Sequence, residues 1–191
     1  AGTPAIRTSS IRDVIAIKEE TGLPVIGLVK VQYPGYEGFI TPTMKEVDDL
    51  VAAGSDIVAL DCTLRKRGDG STVNEFIAQI REKYPDIILM ADISNYEEGI
   101  NAWKCGVDIV GTTMSGYTAY TSSVSDGPDY ELMERLSRDI NIPVIGEGRI
   151  HYPDQAVKAL QTGAWAIVVG GAITRPLEIA MRFQNAIKES R

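Results

Sequence analysis

Five charged side chains in this sequence each end a short run of apolar residues, which is where a parallel strand delivers a side chain to a catalytic site. They are Arg7, Lys30, Asp61, Asp92 and Glu147. A single residue of this kind can equally be solvated or cap a helix. Because the carboxyl ends of the strands of a parallel barrel meet at one mouth, five such residues of both signs favour a ligand site over coincidence.

Lys30 and Glu147 are the candidates for proton transfer. Lys30 ends the run VIGLVK, where an amine can be desolvated and lose basicity, as a proton-abstracting lysine requires. The alternative for Lys30 is a structural ion pair with Asp61 or Asp92. Glu147 lies between two glycines in PVIGEGRI, and glycines let a ligand approach the backbone closely. Its side chain is either a general acid/base or a partner for Arg149.

The segment AIVVGGAITRP predicts a phosphate-binding turn near the end of the chain. The amides of Gly170, Gly171 and Ala172 could hold phosphate oxygens beside a helix N-terminus, together with the amides near Gly148. Arg175 would add charge-assisted hydrogen bonds to the same anion. Barrels commonly bind phosphate after their last two strands. The alternative is that these glycines serve only tight turns.

The polar stretch 111–128 is too long for an ordinary connection between a strand and a helix, and we interpret it as a candidate lid. Tyr117 and Tyr120 could cover a sugar from there, or pack on the rim of the barrel instead. The basic run from Arg65 to Arg67 is interpreted as a solvated turn rather than as the phosphate site.

Composition excludes several other classes of function. The net charge of -7 argues against an extended basic surface of the kind that nucleic acid binding requires. His151 is the only histidine and the two cysteines are distant in sequence, so no zinc cluster is expected. Asp61 and Asp92 leave carboxylate-bound Mg²⁺ open. No nucleotide-binding motif is present, so we expect no cofactor.

Cellular location follows from equally simple features. Cys62 and Cys105 are too few for a disulfide scaffold, which indicates a reducing compartment. The N-terminus has no signal peptide, and no apolar run approaches the roughly 20 residues that span a bilayer. We therefore expect a cytoplasmic protein with no membrane contact.

Short apolar runs alternate with amphipathic stretches along the whole chain, which predicts parallel βαβ units. The predicted strands are 5–7, 25–30, 57–61, 87–92, 108–112, 143–147 and 166–169. The predicted helices are 11–20, 43–53, 73–83, 96–105, 130–139, 153–162 and 176–189. This regular cadence favours one domain over residues 1–191 with a (β/α)₈ TIM-type barrel, rather than a doubly wound open sheet. Seven strands leave one missing.

The successive motifs PVIGLVK, FITPTMKEVDDLVAAG, IVALDCTLRKRGDG, LMADIS, GTTMSGYTAY, PVIGEGRI and VVGGAITRP resemble those of the N-acetylmannosamine-6-phosphate 2-epimerases. The resemblance covers residues 5–183. It implies conversion of N-acetylmannosamine 6-phosphate into N-acetylglucosamine 6-phosphate in sialic acid breakdown, without a metal or redox cofactor. We accordingly expect a small amino sugar phosphate as ligand and a homodimer.

The resemblance also implies roles for particular residues. Lys30 and Glu147 fall on the family's catalytic positions, and Arg7, Asp92 and Arg175 on its substrate-binding positions. The glycines of the closing motif fall on its phosphate cradle. The family has a further strand and helix before the AIR motif, so we expect a barrel that lacks its first strand and helix and exposes two strand edges.

Two other functions remain open at this point. One is another phosphate-binding barrel isomerase or synthase, acting for example on ribulose or a phosphoribosyl amine. The other is a sugar-phosphate-binding protein without catalysis, which would bind its ligand but show no solvent exchange at C2.

Overall fold

The computed structural model describes residues 2–122 and 127–190, and it contains seven parallel strands in one sheet that curves into a nearly closed barrel. The strands are β1 (Ile6–Ser9), β2 (Val25–Leu28), β3 (Ile57–Asp61), β4 (Ile88–Asp92), β5 (Ile109–Gly111), β6 (Val144–Glu147) and β7 (Ala166–Val168). Each strand pairs with the next one in sequence. A doubly wound sheet reverses its strand order in the middle, so the sequential order confirms the predicted barrel.

Helices alternate with these strands. They are α1 (Ile11–Thr21), α2 (Met44–Ala52), α3 (Val73–Lys83), α4 (Tyr96–Lys104), α5 (Tyr130–Asp139), α6 (Pro153–Gln161), α7 (Gly171–Thr174) and α8 (Pro176–Glu189). Four helices begin after a polar side chain that accepts a hydrogen bond from an amide of the first turn; these are Ser10, Thr72, Asn95 and Asp129. Such caps satisfy donors that a helix leaves unpaired at its start. None of the described helices is long and apolar enough to cross a membrane.

The strands divide the apolar core into two layers because successive side chains point to opposite faces. Leu89 and Ala91 of β4 pack against the surrounding helices, while Met90 packs inside the barrel with Ile145 of β6. Asp92 follows Met90 by two residues, and Glu147 follows Ile145 by two. Strand alternation therefore directs both carboxylates into the barrel.

Two predicted strand ends are wrong by two residues, and both errors concern site residues. The strand β1 continues through Thr8 to Ser9, so Arg7 lies inside the strand rather than at its end. The apolar pattern did not predict this continuation because Thr8 and Ser9 are polar. The strand β2 ends at Leu28 instead of Lys30. Lys30 forms an isolated antiparallel bridge with Ile40, because the chain folds back on itself above the barrel.

The side of the barrel between β7 and β1 is its least covered side. No pairing between these two strands occurs among residues 2–122 and 127–190, and this is where an eighth strand completes a barrel of this type. Every residue of β7 is half-buried and α8 has no buried residue. Large apolar side chains are exposed nearby in sequence, including Trp165, Leu177 and Phe183, each at least 69% exposed.

Candidate active site

Four side chains meet inside the upper end of the barrel. Arg7 Nη2 lies 2.6 Å from Asp92 Oδ2, and Arg7 Nε lies 3.4 Å from Glu147 Oε2. The Thr113 hydroxyl lies 2.6 Å from Asp92 Oδ1 and 3.2 Å from Glu147 Oε2. Arg7 Nη1 also donates to the Met90 sulfur at 3.3 Å. Strands β1, β4 and β6 thus contribute one charged group each to a single acid–base cluster.

Burial and neighbouring charges shift the pKa values of this cluster in a direction that suits proton transfer. Burial raises the pKa of Glu147 above the usual 4.5; Arg7 opposes this, and repulsion by Asp92 adds to it. For Arg7, burial alone would lower the pKa, but attraction to Asp92 and Glu147 outweighs burial and raises it. Arg7 therefore remains a fixed positive charge, and Glu147 can carry a proton nearer neutral pH.

Above this cluster lies an open cavity of about 530 Å³. It brings together eight of the ten site residues predicted from the sequence: Lys30, Tyr117, Glu147, Gly148, Gly170, Gly171, Ala172 and Arg175. The other two, Arg7 and Asp92, lie beneath the cavity and form an ion pair with each other. Their direct contact with a substrate stays a prediction.

Lys30 stands at the mouth of the cavity. It is exposed, so the desolvation expected of this amine does not occur; β2 ends two residues earlier and releases the side chain toward the opening. The expected alternative, an ion pair with Asp61 or Asp92, is not found among the described residues, because Arg65 pairs with Asp61 and Arg7 with Asp92. Lys30 is close enough to Glu147 to favour ionisation of that carboxylate.

Part of the cavity wall is formed by the segment that the sequence predicts for phosphate, residues 170–175. Gly170 precedes the short helix α7, which the sequence pattern did not predict. Arg175 follows this helix, and its Nη1 donates to Glu178 Oε1 at 2.8 Å. Gly148 faces the same space with a φ of 107°, a value that favours glycine. Backbone and guanidinium groups of two neighbouring loops thus border one space.

The two tyrosines of the long loop after β5 have different surroundings. Tyr117 lines the cavity, and its ring centre lies 5.7 Å from the Arg149 guanidinium carbon. Tyr120 donates its hydroxyl to Glu98 Oε1 in the first turn of α4, at 2.5 Å. Tyr117 is therefore placed where it could cover a ligand, and that role stays a prediction, whereas Tyr120 does not line the cavity. Residues 123–126 of the candidate lid lie outside the described residues, and the lid stays a prediction.

Arginines 65 and 67 are held by protein contacts. Arg65 pairs with Asp61, while Arg67 is buried, stacks 3.9 Å from the Phe76 ring centre and donates to Pro42 O at 2.7 Å. The crevice beside them has a volume of only about 10 Å³, which is roughly what one water molecule needs. These contacts favour a structural role over phosphate binding.

Thr113 and Thr112 are site residues that the sequence reasoning missed. Thr112 Oγ1 donates to Glu147 O at 2.9 Å and accepts from Glu147 N at 3.1 Å, which fixes the backbone under the carboxylate. The sequence feature that indicates Thr112 and Thr113 as site residues is their position directly after the apolar run of β5. A neutral hydroxyl is simply less conspicuous there than a charge.

Acid–base groups beneath a cavity at the carboxyl ends of parallel strands define a catalytic β/α barrel. A family model described as "Putative N-acetylmannosamine-6-phosphate epimerase" matches residues 1–189. A Caldanaerobacter subterraneus subsp. tengcongensis protein named "Putative N-acetylmannosamine-6-phosphate 2-epimerase" is 56% identical over 190 residues, which are 100% of this chain and 80% of that protein. The chain belongs to the N-acetylmannosamine-6-phosphate epimerase family.

One solved structure supports the same assignment, and a second shares the fold. The N-acetylmannosamine-6-phosphate 2-epimerase from Clostridium perfringens superposes with a TM-score of 0.91 at 48% identity, covering 97% of this chain and 80% of that one. Thiamine phosphate pyrophosphorylase from Pyrococcus furiosus has a TM-score of 0.60 at 21% identity, covering 90% of this chain and 75% of that one. The second likeness shows the fold alone.

Proposed function

We propose that this protein is an isomerase that interconverts N-acetylmannosamine 6-phosphate and N-acetylglucosamine 6-phosphate by removing and returning the proton at C2, in the breakdown of sialic acid. The observation that carries the proposal is that Lys30 and Glu147 line one cavity together with Gly170, Gly171 and Arg175. Membership of the epimerase family supplies the substrate class.

The chemistry requires a base, an acid and a fixed anion site. The C2 proton is poorly acidic, so the sugar ring opens first and gives a carbonyl at C1. Lys30 is the proposed base at C2; the C–H electron pair moves into an enolate whose oxygen needs stabilisation. Glu147 is the proposed acid that assists ring opening and delivers a proton. The neighbouring guanidinium of Arg7 holds Glu147 and Asp92 in place.

The remaining predicted residues bind the substrate in this proposal. Arg7, Asp92 and Tyr117 contact the sugar, and Arg175 pairs with the 6-phosphate. The backbone amides near the phosphate complete its cradle; they belong to Gly148, Gly170, Gly171 and Ala172. Binding energy from a distant phosphate can hold the opened sugar in position for proton transfer at C2.

The reaction proposed here uses no metal or redox cofactor, since proton transfer and a hydrogen-bonded oxyanion account for each step. Within the described part of the chain, no three His, Cys, Asp or Glu side chains converge as metal ligands would. The absence of a cofactor stays a prediction.

We further propose a cytoplasmic homodimer. Support for a dimer comes from the large apolar side chains that α8 exposes, among them Leu177 and Phe183. Support for the cytoplasm comes from the two free cysteines, Cys62 and Cys105, since disulfides are rare in reducing compartments.

One experiment tests the activity directly. Proton NMR of N-acetylmannosamine 6-phosphate with the purified protein in D₂O should show signals of N-acetylglucosamine 6-phosphate and loss of the C2 proton signal. Binding without exchange at C2 would favour a non-catalytic sugar-phosphate-binding protein. Turnover of a pentose or phosphoribosyl substrate instead would favour another barrel isomerase.

A further inference from the structure

The hydroxyl of Thr113 lies between two carboxyl groups and can donate to only one of them. Its oxygen is 2.6 Å from Asp92 Oδ1 and 3.2 Å from Glu147 Oε2. A threonine hydroxyl has one hydrogen and two acceptor lone pairs, whereas an ionised carboxylate only accepts. Both contacts are therefore hydrogen bonds at the same time only if one of the two carboxyl groups carries a proton.

The distances identify Asp92 as the group that receives the hydroxyl hydrogen. Each Asp92 oxygen has a donor at 2.6 Å, from Thr113 and from Arg7 Nη2. Contacts to Glu147 Oε2 are longer, 3.2 Å from Thr113 and 3.4 Å from Arg7 Nε. Short bonds from a charged and a neutral donor are what an ionised carboxylate attracts. Asp92 has the contacts of the anion, and Glu147 does not.

Charge balance independently requires a proton on one of the two carboxyl groups. Within residues 2–122 and 127–190, Arg7 is the one guanidinium in contact with both carboxyl groups. Two carboxylates that share one cation favour retention of a proton on one of them. Lys30 lines the same cavity as Glu147, and its positive charge favours ionisation of Glu147. Charged and titratable groups elsewhere on the cavity wall are Arg149, His151, Arg175 and Glu178. On β3, Asp61 is paired with Arg65.

We propose that Thr113 is a positioning residue that assigns the single proton of the Asp92–Glu147 pair. By donating to Asp92 it leaves only a lone pair for Glu147, so Glu147 holds the proton and Asp92 stays ionised. Glu147 is then already protonated in the free protein and can act as a general acid when the substrate binds. This last consequence rests on the proposed epimerase function; the location of the proton does not.

Infrared spectroscopy of the protein without substrate tests the assignment. A neutral carboxylic acid band should be present in the wild-type protein at pH 7, and Glu147→Gln should remove it. Thr113→Val, which keeps the side-chain volume, should lower the midpoint of its titration by roughly one pH unit, the effect of one lost hydrogen bond. Thr113→Ser should restore the wild-type midpoint.

The control is Thr162→Val, which removes a hydroxyl bonded to Ala159 O far from the cluster and should change nothing in the spectrum. A band removed by Asp92→Asn but not by Glu147→Gln would overturn the proposal, even if Thr113→Val did not fold. A midpoint that rises in Thr113→Val would also overturn it, since Thr113 would then be donating to Glu147.

The pH dependence of turnover provides a second, separate measurement. In Thr113→Val the alkaline limb of the pH profile of kcat should move to lower pH by a similar amount. In Thr113→Ser this limb should return to its wild-type position. An unmoved limb in an active, folded Thr113→Val would contradict the role of Thr113. If the wild-type protein shows no epimerisation at all, the proposed function fails, while the infrared result still decides where the proton lies.

Discussion

Lys30 has an exposed amine at the mouth of the cavity, so its removal leaves the buried cluster intact. Lys30→Ala should abolish both epimerisation and deuterium incorporation at C2, because the proposed base is lost. Binding should weaken only modestly, since phosphate contacts elsewhere supply much of the affinity. NMR in D₂O and calorimetry measure the two effects. The matched control is Lys45→Ala, which removes an exposed lysine of α2 that pairs with Asp49. Full-rate exchange at C2 in Lys30→Ala would contradict the role of Lys30 as the base.

A second prediction concerns Glu147 and the pH dependence of the free energy of unfolding. Because its folded pKa is raised above the usual 4.5, the contribution of this carboxyl to stability is present below that value. It is lost as pH rises through the folded pKa. Glu147→Gln cannot ionise, so its free energy of unfolding relative to wild type should increase between pH 4 and pH 8. Urea denaturation at both pH values measures this, and a constant difference would contradict the raised pKa.

At the scale of elements, the helix pair α4 and α5 depends on a glycine. A Cβ added at Gly99 would lie 2.6 Å from Leu136 Cδ2 in the packed core. Alanine normally stabilises a helix by about 1 kcal/mol relative to glycine, whereas overpacking costs about 1–3 kcal/mol. We expect Gly99→Ala to destabilise the protein by about 1 kcal/mol in chemical denaturation.

The partner of that contact provides the control. In a Leu136→Ala background the added methyl group has space, so Gly99→Ala should become neutral or stabilising there. An equal loss of stability in both backgrounds would show that the contact with Leu136 is not the cause.

At the scale of the whole molecule, the exposed apolar side of α8 is the feature that association would cover. Light scattering should give the mass of a dimer, and the double variant Leu177→Asp, Phe183→Asp should give a monomer with unchanged helical circular dichroism. Charged groups in an apolar interface are costly to desolvate. A dimer that survives this change would place its interface elsewhere, and a monomeric wild type would contradict the proposed dimer.

The sequence by itself determined the architecture and most of the cavity wall. The β3 bounds and those of α3, α5 and α8 match the structure, because alternating apolar runs and capped amphipathic stretches are local signals. The same local rule located Lys30, Glu147 and Arg175 around one cavity, since barrel topology brings the carboxyl ends of all strands together.

Tertiary structure alone decided how these groups interact. The sequence left Asp92, Arg149 and Asp61 as alternative partners for the proposed catalytic pair, and the fold instead pairs Glu147 with Arg7 across the barrel. It also exposed Lys30 and inserted Thr113 between two carboxyl groups. Such contacts join residues separated by up to 140 positions. Their distances depend on strand stagger and on where each strand ends, quantities that no local pattern encodes.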